Sequence, residues 1–236
     1  MAGHSKWANI QHRKGRQDEK RGAAFSKLAK EITVAAKSGA DPSMNAQLRM
    51  AMEAARKQSM PRDTIERAVK KGAGLLDGPV NYETVTYEGF GPHRVPVIVE
   101  CLTENRNRTS ANVRQLFNKK GQLAAAGAIS WDFTRLGLVE AKGPAGADPE
   151  EAALESGADD LEPGDDGGTS FYTKPADLDA VSKALAERGW TVERAALVWK
   201  ANNPLSLGEA ERAEVESFLA AMDEDDDVQN LFVGLA

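Results

Sequence analysis

The chain contains one cysteine in 236 residues, so no intramolecular disulfide can form and neither a cysteine-built metal cage nor a CxxC redox pair is available. That residue, Cys101, stands in "VPVIVECL" among valines and reads as a small core residue rather than a nucleophile. Histidine is scarce as well. His4 and His12 have no third ligand nearby, which argues against a zinc site, although an imidazole beside phosphates becomes partly cationic from its reference pKa of about 6.5. Apolar runs fall well short of the ~20 residues of a bilayer span. The first residues carry charge without the apolar stretch of a secretory signal, and Asp18, Glu19 and a helical pattern after Phe25 argue against a transit peptide. No Ser-His-Asp spacing and no Walker-type phosphate loop is present, and "GAGLLDG" at 72–78 is a linker-like glycine cluster. These absences predict a cytoplasmic, non-enzymatic protein with no metal, no cofactor and no membrane partner.

What the chain does have is charge, unevenly placed. Its net charge is −6. Residues 1–75 hold 16 Lys and Arg against 7 Asp and Glu, net +9, residues 76–135 are close to neutral, and residues 136–236 hold 7 against 23, net −16. Phosphate neutralisation by Lys and Arg supplies most non-specific affinity for nucleic acid, so local charge outweighs the acidic total. The acidic end limits promiscuous binding and favours solubility.

Periodicity predicts the elements. "AAFSKLAKEITVAAKSGADP" is a helix in which Phe25, Leu28, Ile32, Ala35 and Ala36 form one buried stripe, with Lys27, Lys30 and Lys37 on a basic stripe roughly opposite. Asp41 as N-cap and Pro42 at the first helical position predict a second helix, with Leu48, Met52, Ala55 and Ser59 inside. "MPRDTIERAVKKGAG" is a third, ending at Gly72. The period then changes to two: strands "NYETVTYEGFGP" and "HRVPVIVECLTEN", the latter with Val95, Val97, Val99 and Cys101 on one face, a helix "RTSANVRQLFNKKG", and a strand "AISWDF" with Ile129, Trp131 and Phe133 on one side. Residues 136–201 follow a β-α-β-β-α-β order, the ferredoxin-like pattern. "GEAERAEVESFLAAM" and "VQNLFVGL" supply a last helix and strand that complete the sheet begun at residue 80. The predicted fold is α+β: an N-terminal three-helix domain (1–78), a discontinuous α/β-sandwich domain (79–134 plus 205–236), and an acidic ferredoxin-like domain (135–204) inserted in it. Trp131, Trp190 and Trp199 are expected in cores.

Four stretches carry a family resemblance: "MAGHSKWANIQHRK" at the start, "MPRDTIERAVKKG" at 60–72, "YEGFGP" at 87–92 and "VIVECLTENRNRT" at 97–109. Together they resemble the YebC/PmpR family, whose mitochondrial relative activates translation of a respiratory oxidase subunit. The resemblance implies a three-domain α+β protein and a transcriptional regulator that binds DNA, some members having been linked to translation on the ribosome. Two departures stand out: Gln11 replaces a usual lysine, and "GQLAAAGAISW" lacks the expected "GGNLG" run.

The expected nucleic-acid contacts begin with Lys6, Arg13, Lys14, Arg16, Lys20 and Arg21, which are too dense to enter a core. Lys27, Lys30 and Lys37 continue them. Trp7, an aromatic ring among cations, either stacks on an unpaired base or docks on the protein as a tether. "ENRNRTSANVR" leads from a strand into a helix N-terminus, where Arg106, Arg108, Thr109 and Arg114 can converge with free N–H groups on one anion. Ordinary capping with surface arginines is the alternative, and the resemblance favours phosphate contact. The acidic run Asp223–Asp227 reads as a solvated loop rather than a Mg²⁺ site. A metal-dependent nuclease using those acids is the competing reading, disfavoured because the acids lie far in sequence from the basic elements. The partner is therefore DNA or structured RNA, including the ribosome. The short helices lack a convincing recognition row of Asn, Gln and Arg, which tilts the choice toward RNA. The acidic domains offer a surface for a protein partner, and the chain is expected to be a monomer.

Overall fold

A computed structural model describes residues 17–76, 81–164 and 167–236. In chain order the elements are α1 (Gln17–Ala36), α2 (Ala46–Lys57), α3 (Arg62–Gly72), β1 (Glu83–Phe90), β2 (Pro96–Thr103), α4 (Arg106–Lys120), β3 (Gln122–Leu123), β4 (Phe133–Lys142), α5 (Pro149–Ser156), β5 (Asp160–Pro163), β6 (Thr169–Thr173), α6 (Leu178–Glu187), β7 (Thr191–Ala201), α7 (Glu209–Asp223) and β8 (Val228–Val233). The protein is α+β: a helical region followed by two four-stranded antiparallel sheets. The described residues fall into two compact units, one running to Ala128 and resuming over Glu209–Leu231, the other formed by Ile129–Gly208 and Phe232–Ala236.

In the first unit the predicted apolar stripe closes the helical core. Ile32, Ala35 and Ala36 of α1 pack with Leu48, Ala55, Met60, Ile65 and Ala68, and Phe25 and Leu28 lean on the cluster. Helix α3 presses directly on α1, since a Cβ at Gly72 would collide with the Thr33 carbonyl oxygen and the Ala36 methyl. The start of α2 differs from the sequence expectation. Asn45, not Asp41, is its N-cap, accepting from Leu48 N at 3.0 Å, while Asp41 closes a preceding turn through Ser43. Both residues are good caps, but the amide of Asn45 also donates to the Ala35 and Gly39 carbonyls, which an aspartate cannot do. Ser59 is exposed at φ 60° and Met60 takes the inward place expected for it.

The sheet of this unit has the order β3-β1-β2-β8. Strand β2 is central, and all eight of its residues are buried, so both its faces are covered rather than one. Strands β1 and β2 pair with Tyr87 opposite Val99. They are joined by the tight turn Pro92–Arg94, closed by Val95 N donating to the Pro92 carbonyl at 3.2 Å, in which His93 (φ 57°) and Arg94 (φ 58°) both adopt the left-handed conformation. Helices α4 and α7 meet through Phe117 and Phe218, edge to face at 5.7 Å. Gly89 lets the Phe117 ring lie against β1.

The second unit carries the order β5-β6-β4-β7, the ferredoxin-like arrangement expected. Helix α5 begins at Pro149 with Asp148 capping Glu150 N at 2.9 Å and ends at Gly157 in the left-handed conformation. Trp190 is buried edge-on to Phe171 at 5.1 Å. Two aromatic expectations fail here. Ser130–Asp132 is a single 3₁₀ turn leading into β4, so Ile129, Trp131 and Phe133 do not share a strand face: Ile129 and Phe133 are buried, and Trp131 is 75% exposed. The strand expected at "AISWDF" is replaced in the first sheet by the two-residue β3. Trp199 is half-buried, with the Arg135 guanidinium 5.2 Å from its ring.

Candidate nucleic-acid interface

The polar side of α1 meets the turn between α7 and β8. Lys27 and Lys30 are one helical turn apart and so project together. Lys27 Nζ donates to Asp223 Oδ1 and to the Asp223 carbonyl, both at 2.8 Å. Lys30 Nζ donates to the Asp226 carbonyl at 2.6 Å and to Asp227 Oδ1 at 3.0 Å. Their side chains are 14% and 15% exposed. Lys37 donates to the Tyr82 carbonyl at 3.3 Å. The stripe read as facing solvent or an external polyanion thus faces this protein's own carboxylates and carbonyls.

Asp227 is the hub. It is 4% exposed, which corrects the expectation of a solvated acidic loop. Its Oδ2 accepts from Arg108 Nη2 at 2.7 Å and lies 2.8 Å from Thr109 Oγ1 and 3.3 Å from Thr103 Oγ1. Its backbone carbonyl accepts from Leu102 N at 2.8 Å, fixing the entry into β8. Asp225 Oδ1 accepts from Asp227 N at 2.9 Å, and Asp225 Oδ2 accepts from Asn112 Nδ2 at 3.1 Å. The start of α4 is organised by the same residues. Asn105 is its N-cap, accepting from Arg108 N at 3.1 Å, and Thr103 Oγ1 accepts from Asn105 N at 2.9 Å. The "NRNRT" turn is therefore capped, and two of its members, Arg108 and Thr109, grip an internal carboxylate.

Charge states follow from these contacts. Burial alone would raise the Asp227 carboxyl, but hydrogen bonds from Arg108, Thr109 and Lys30 outweigh it and hold its pKa below the usual carboxylate range. The same hydrogen bond raises the Arg108 guanidinium. Burial, and then the nearby Asp225 and Asp227, push the Cys101 thiol up to about 12, which agrees with its reading as an inert core residue.

Ser26, Lys30, Arg108, Asn112 and residues 224–227 line a cleft of about 540 Å³. Acids and cations far apart in sequence thus share one pocket, so sequence separation does not count against the nuclease reading. Among the described residues, however, no group of three or more His, Cys, Asp or Glu is placed to hold a metal ion. Arg106 and Arg114 lie on the exposed side of α4. Lys6, Trp7, Arg13, Lys14 and Arg16, with His4 and His12, lie outside the described residues, as do the side chains of Lys20 and Arg21. The role of Asp227 was missed in the sequence. Its signal is position: it is the last acid of the run, directly before the apolar strand "VQNLFV", where the chain turns into the core.

Residues 5–75 match the N-terminal domain of the TACO1/YebC protein, and residues 82–235 match the TACO1/YebC second and third domain. The chain belongs to the TACO1/YebC family. A relative in Pseudomonas syringae pv. syringae named "Probable transcriptional regulatory protein" is 56% identical over 229 residues, covering 96% of this chain and 97% of its own length. A relative in Polaromonas sp. with the same name is 55% identical, covering 94% and 96%. The crystal structure of a conserved hypothetical protein from Aquifex aeolicus superposes with a TM-score of 0.86 at 40% identity, covering 98% of this chain and 96% of that one. The TACO1/YebC relationship therefore spans the described fold, and the Pseudomonas and Polaromonas relatives carry the name of a probable regulatory protein. No helix among the described residues is long and apolar enough to cross a membrane.

Proposed function

We propose that this chain is a non-enzymatic, cytoplasmic, nucleic-acid-binding regulator of gene expression. The observation that carries the reading is the net charge of +9 over residues 1–75 in a chain of net −16 over residues 136–236, in a family whose members are named transcriptional regulators. Lys6, Arg13, Lys14, Arg16, Lys20 and Arg21, with Trp7 among them, form the primary contact. Arg106 and Arg114 extend it on the outer side of α4, and the Lys27, Lys30 and Arg108 group is a reserve held by internal acids. The division into domains at 1–78, 79–134 plus 205–236, and 135–204 assigns nucleic-acid contact to the first and a protein partner to the acidic third.

A second reading, structured RNA or the ribosome in place of duplex DNA, is favoured by the exposed side of α3. Asp63 and Glu66 share it with Arg67 and Lys70, and Arg62 is tied to Glu66 at 2.7 Å. Carboxylates in that row suit the major groove poorly. Competition among duplex DNA, single-stranded RNA and ribosomes at physiological salt tests both readings, because specific binding survives screening. Arg13→Glu with Lys14→Glu is expected to weaken binding to all three while leaving the melting temperature unchanged. Unaltered affinity would remove the assignment of the basic arm. Incubation with labelled DNA or RNA and Mg²⁺ is expected to give no cleavage, and cleavage lost in an Asp225→Asn, Asp226→Asn variant would establish the nuclease instead.

A further inference from the structure

We infer that the acidic turn Asp223–Asp227 is an intramolecular competitor for polyanions, holding Lys27 and Lys30 of α1 until nucleic acid displaces it. The inference rests on the proposed function and adds a regulatory contact to it.

Three features of the contact support this. First, the turn offers the two lysines what a phosphate backbone would. Each ammonium meets one carboxylate oxygen and one carbonyl oxygen within 3.0 Å, and the two carboxylates, Asp223 and Asp227, stand at the two ends of one five-residue turn. Second, the lysines can leave without stranding a buried charge. Asp227, the buried member, keeps Arg108 at 2.7 Å and Thr109 at 2.8 Å when Lys30 departs. Asp223, the other acceptor, has a side chain 34% exposed and can rehydrate. A buried carboxylate losing its sole partner would cost several kcal/mol, and the doubled partnership of Asp227 removes that barrier. Third, the contact is reachable. The cleft of about 540 Å³ runs from Ser26 and Lys30 to Arg108 and the 224–227 turn, so a phosphate entering it meets Lys30 and Arg108 while Glu224 and Asp226, both exposed, repel it. The arrangement lets a high local density of phosphate, but not a lone anion, exchange partners with the turn.

The test compares two variants of equal charge change. Asp223→Asn with Asp226→Asn removes the carboxylate that Lys27 meets and an exposed charge beside Lys30, and leaves the Asp227 hub and the carbonyl contacts intact. Glu150→Gln with Glu151→Gln, at the start of α5, removes the same charge elsewhere. Binding of a fluorescein-labelled 20-nucleotide RNA and a 20-base-pair DNA is measured by anisotropy at 150 mM salt, with circular dichroism melts confirming both folds. The turn variant is expected to bind one or both probes about three- to tenfold more tightly than wild type, and the α5 variant less than about twofold. Adding Lys27→Ala and Lys30→Ala to the turn variant is expected to abolish the gain. Equal gains in both variants, or wild-type binding unaltered by the turn variant, would overturn the competitor while leaving the proposed function standing. Absence of binding by every form would overturn both.

Discussion

Lys30 Nζ lies 3.0 Å from Asp227 Oδ1, joining two residues 197 positions apart. This pair ties the helical region to the loop that launches β8, and it sits on a carboxylate already held by Arg108 and Thr109. The first unit is therefore closed by electrostatics as well as by its apolar core.

Replacing Asp227 with Asn keeps the shape but removes the charge that Lys30 and Arg108 face. The variant is expected to lose about 2–3 kcal/mol of stability, because a buried, multiply hydrogen-bonded carboxylate is broken from one side. Urea unfolding followed by circular dichroism measures this, and a midpoint within error of wild type would show the hub to be dispensable.

Acid should open the same contact. The Asp227 pKa is depressed in the folded state, so its stabilising contribution is present above the unfolded value of about 3.9 and is lost as pH falls through the lower folded value. Stability is expected to fall more steeply below pH 4 in wild type than in Asp227→Asn. Parallel pH–stability curves for the two proteins would contradict the assignment.

The hairpin turn stores strain that glycine would relieve. Arg94 adopts φ 58° with a full side chain, a conformation that costs about 1 kcal/mol in a non-glycine residue. Its guanidinium lies 5.4 Å from the Phe90 ring, an exposed cation–π contact that offsets about half of this. Arg94→Gly is expected to raise the melting temperature by a degree or two, and a lower melting temperature would mean that the ring contact outweighs the backbone.

At Gly89 the opposite holds. An added Cβ would enter the Phe117 ring of α4 and lie 2.7 Å from the carbonyl oxygen of Gln122 in β3, so both α4 and the edge strand are pressed away from β1. Gly89→Ala should cost about 1–3 kcal/mol by overpacking. Thermal denaturation would reveal a neutral substitution if the ring can rotate away.

Cys101 should be silent. It is fully buried, and its thiol is pushed up to about 12, so Ellman's reagent at pH 8 is expected to label the protein only in denaturant. Rapid labelling of the native protein would place the residue at an open surface instead.

Much of this architecture is legible in the residues. The apolar stripe of α1, the β-α-β-β-α-β order of the second unit and the return of the chain to complete the first sheet all follow from periodicity and turn chemistry, because each is set by local spacing. What could not be read is what a polar face looks at. Helical spacing places Lys27 and Lys30 away from the apolar stripe, but whether water, phosphate or Asp223 and Asp227 lies beyond depends on contacts between distant segments. The same gap hid Asp227. An aspartate in a run of acids has the composition of a solvated loop, and only its partners Arg108 and Thr109 make it a buried hub. Trp131 failed for a different reason: the alternation with Ile129 and Phe133 imitates a strand, while the backbone makes a 3₁₀ turn that swings the ring outward.

The missing side chain at Gly72 has a mechanical consequence. With backbone touching backbone where α3 crosses α1, and with the Thr33 hydroxyl 3.3 Å from the Ala68 carbonyl beside it, there is no cushion of flexible atoms to absorb a tilt between the two helices. A shift of the α1 backbone that carries Lys27 and Lys30 therefore drags Arg67 and Lys70 of α3 along, and the two helices act as one stiff lever.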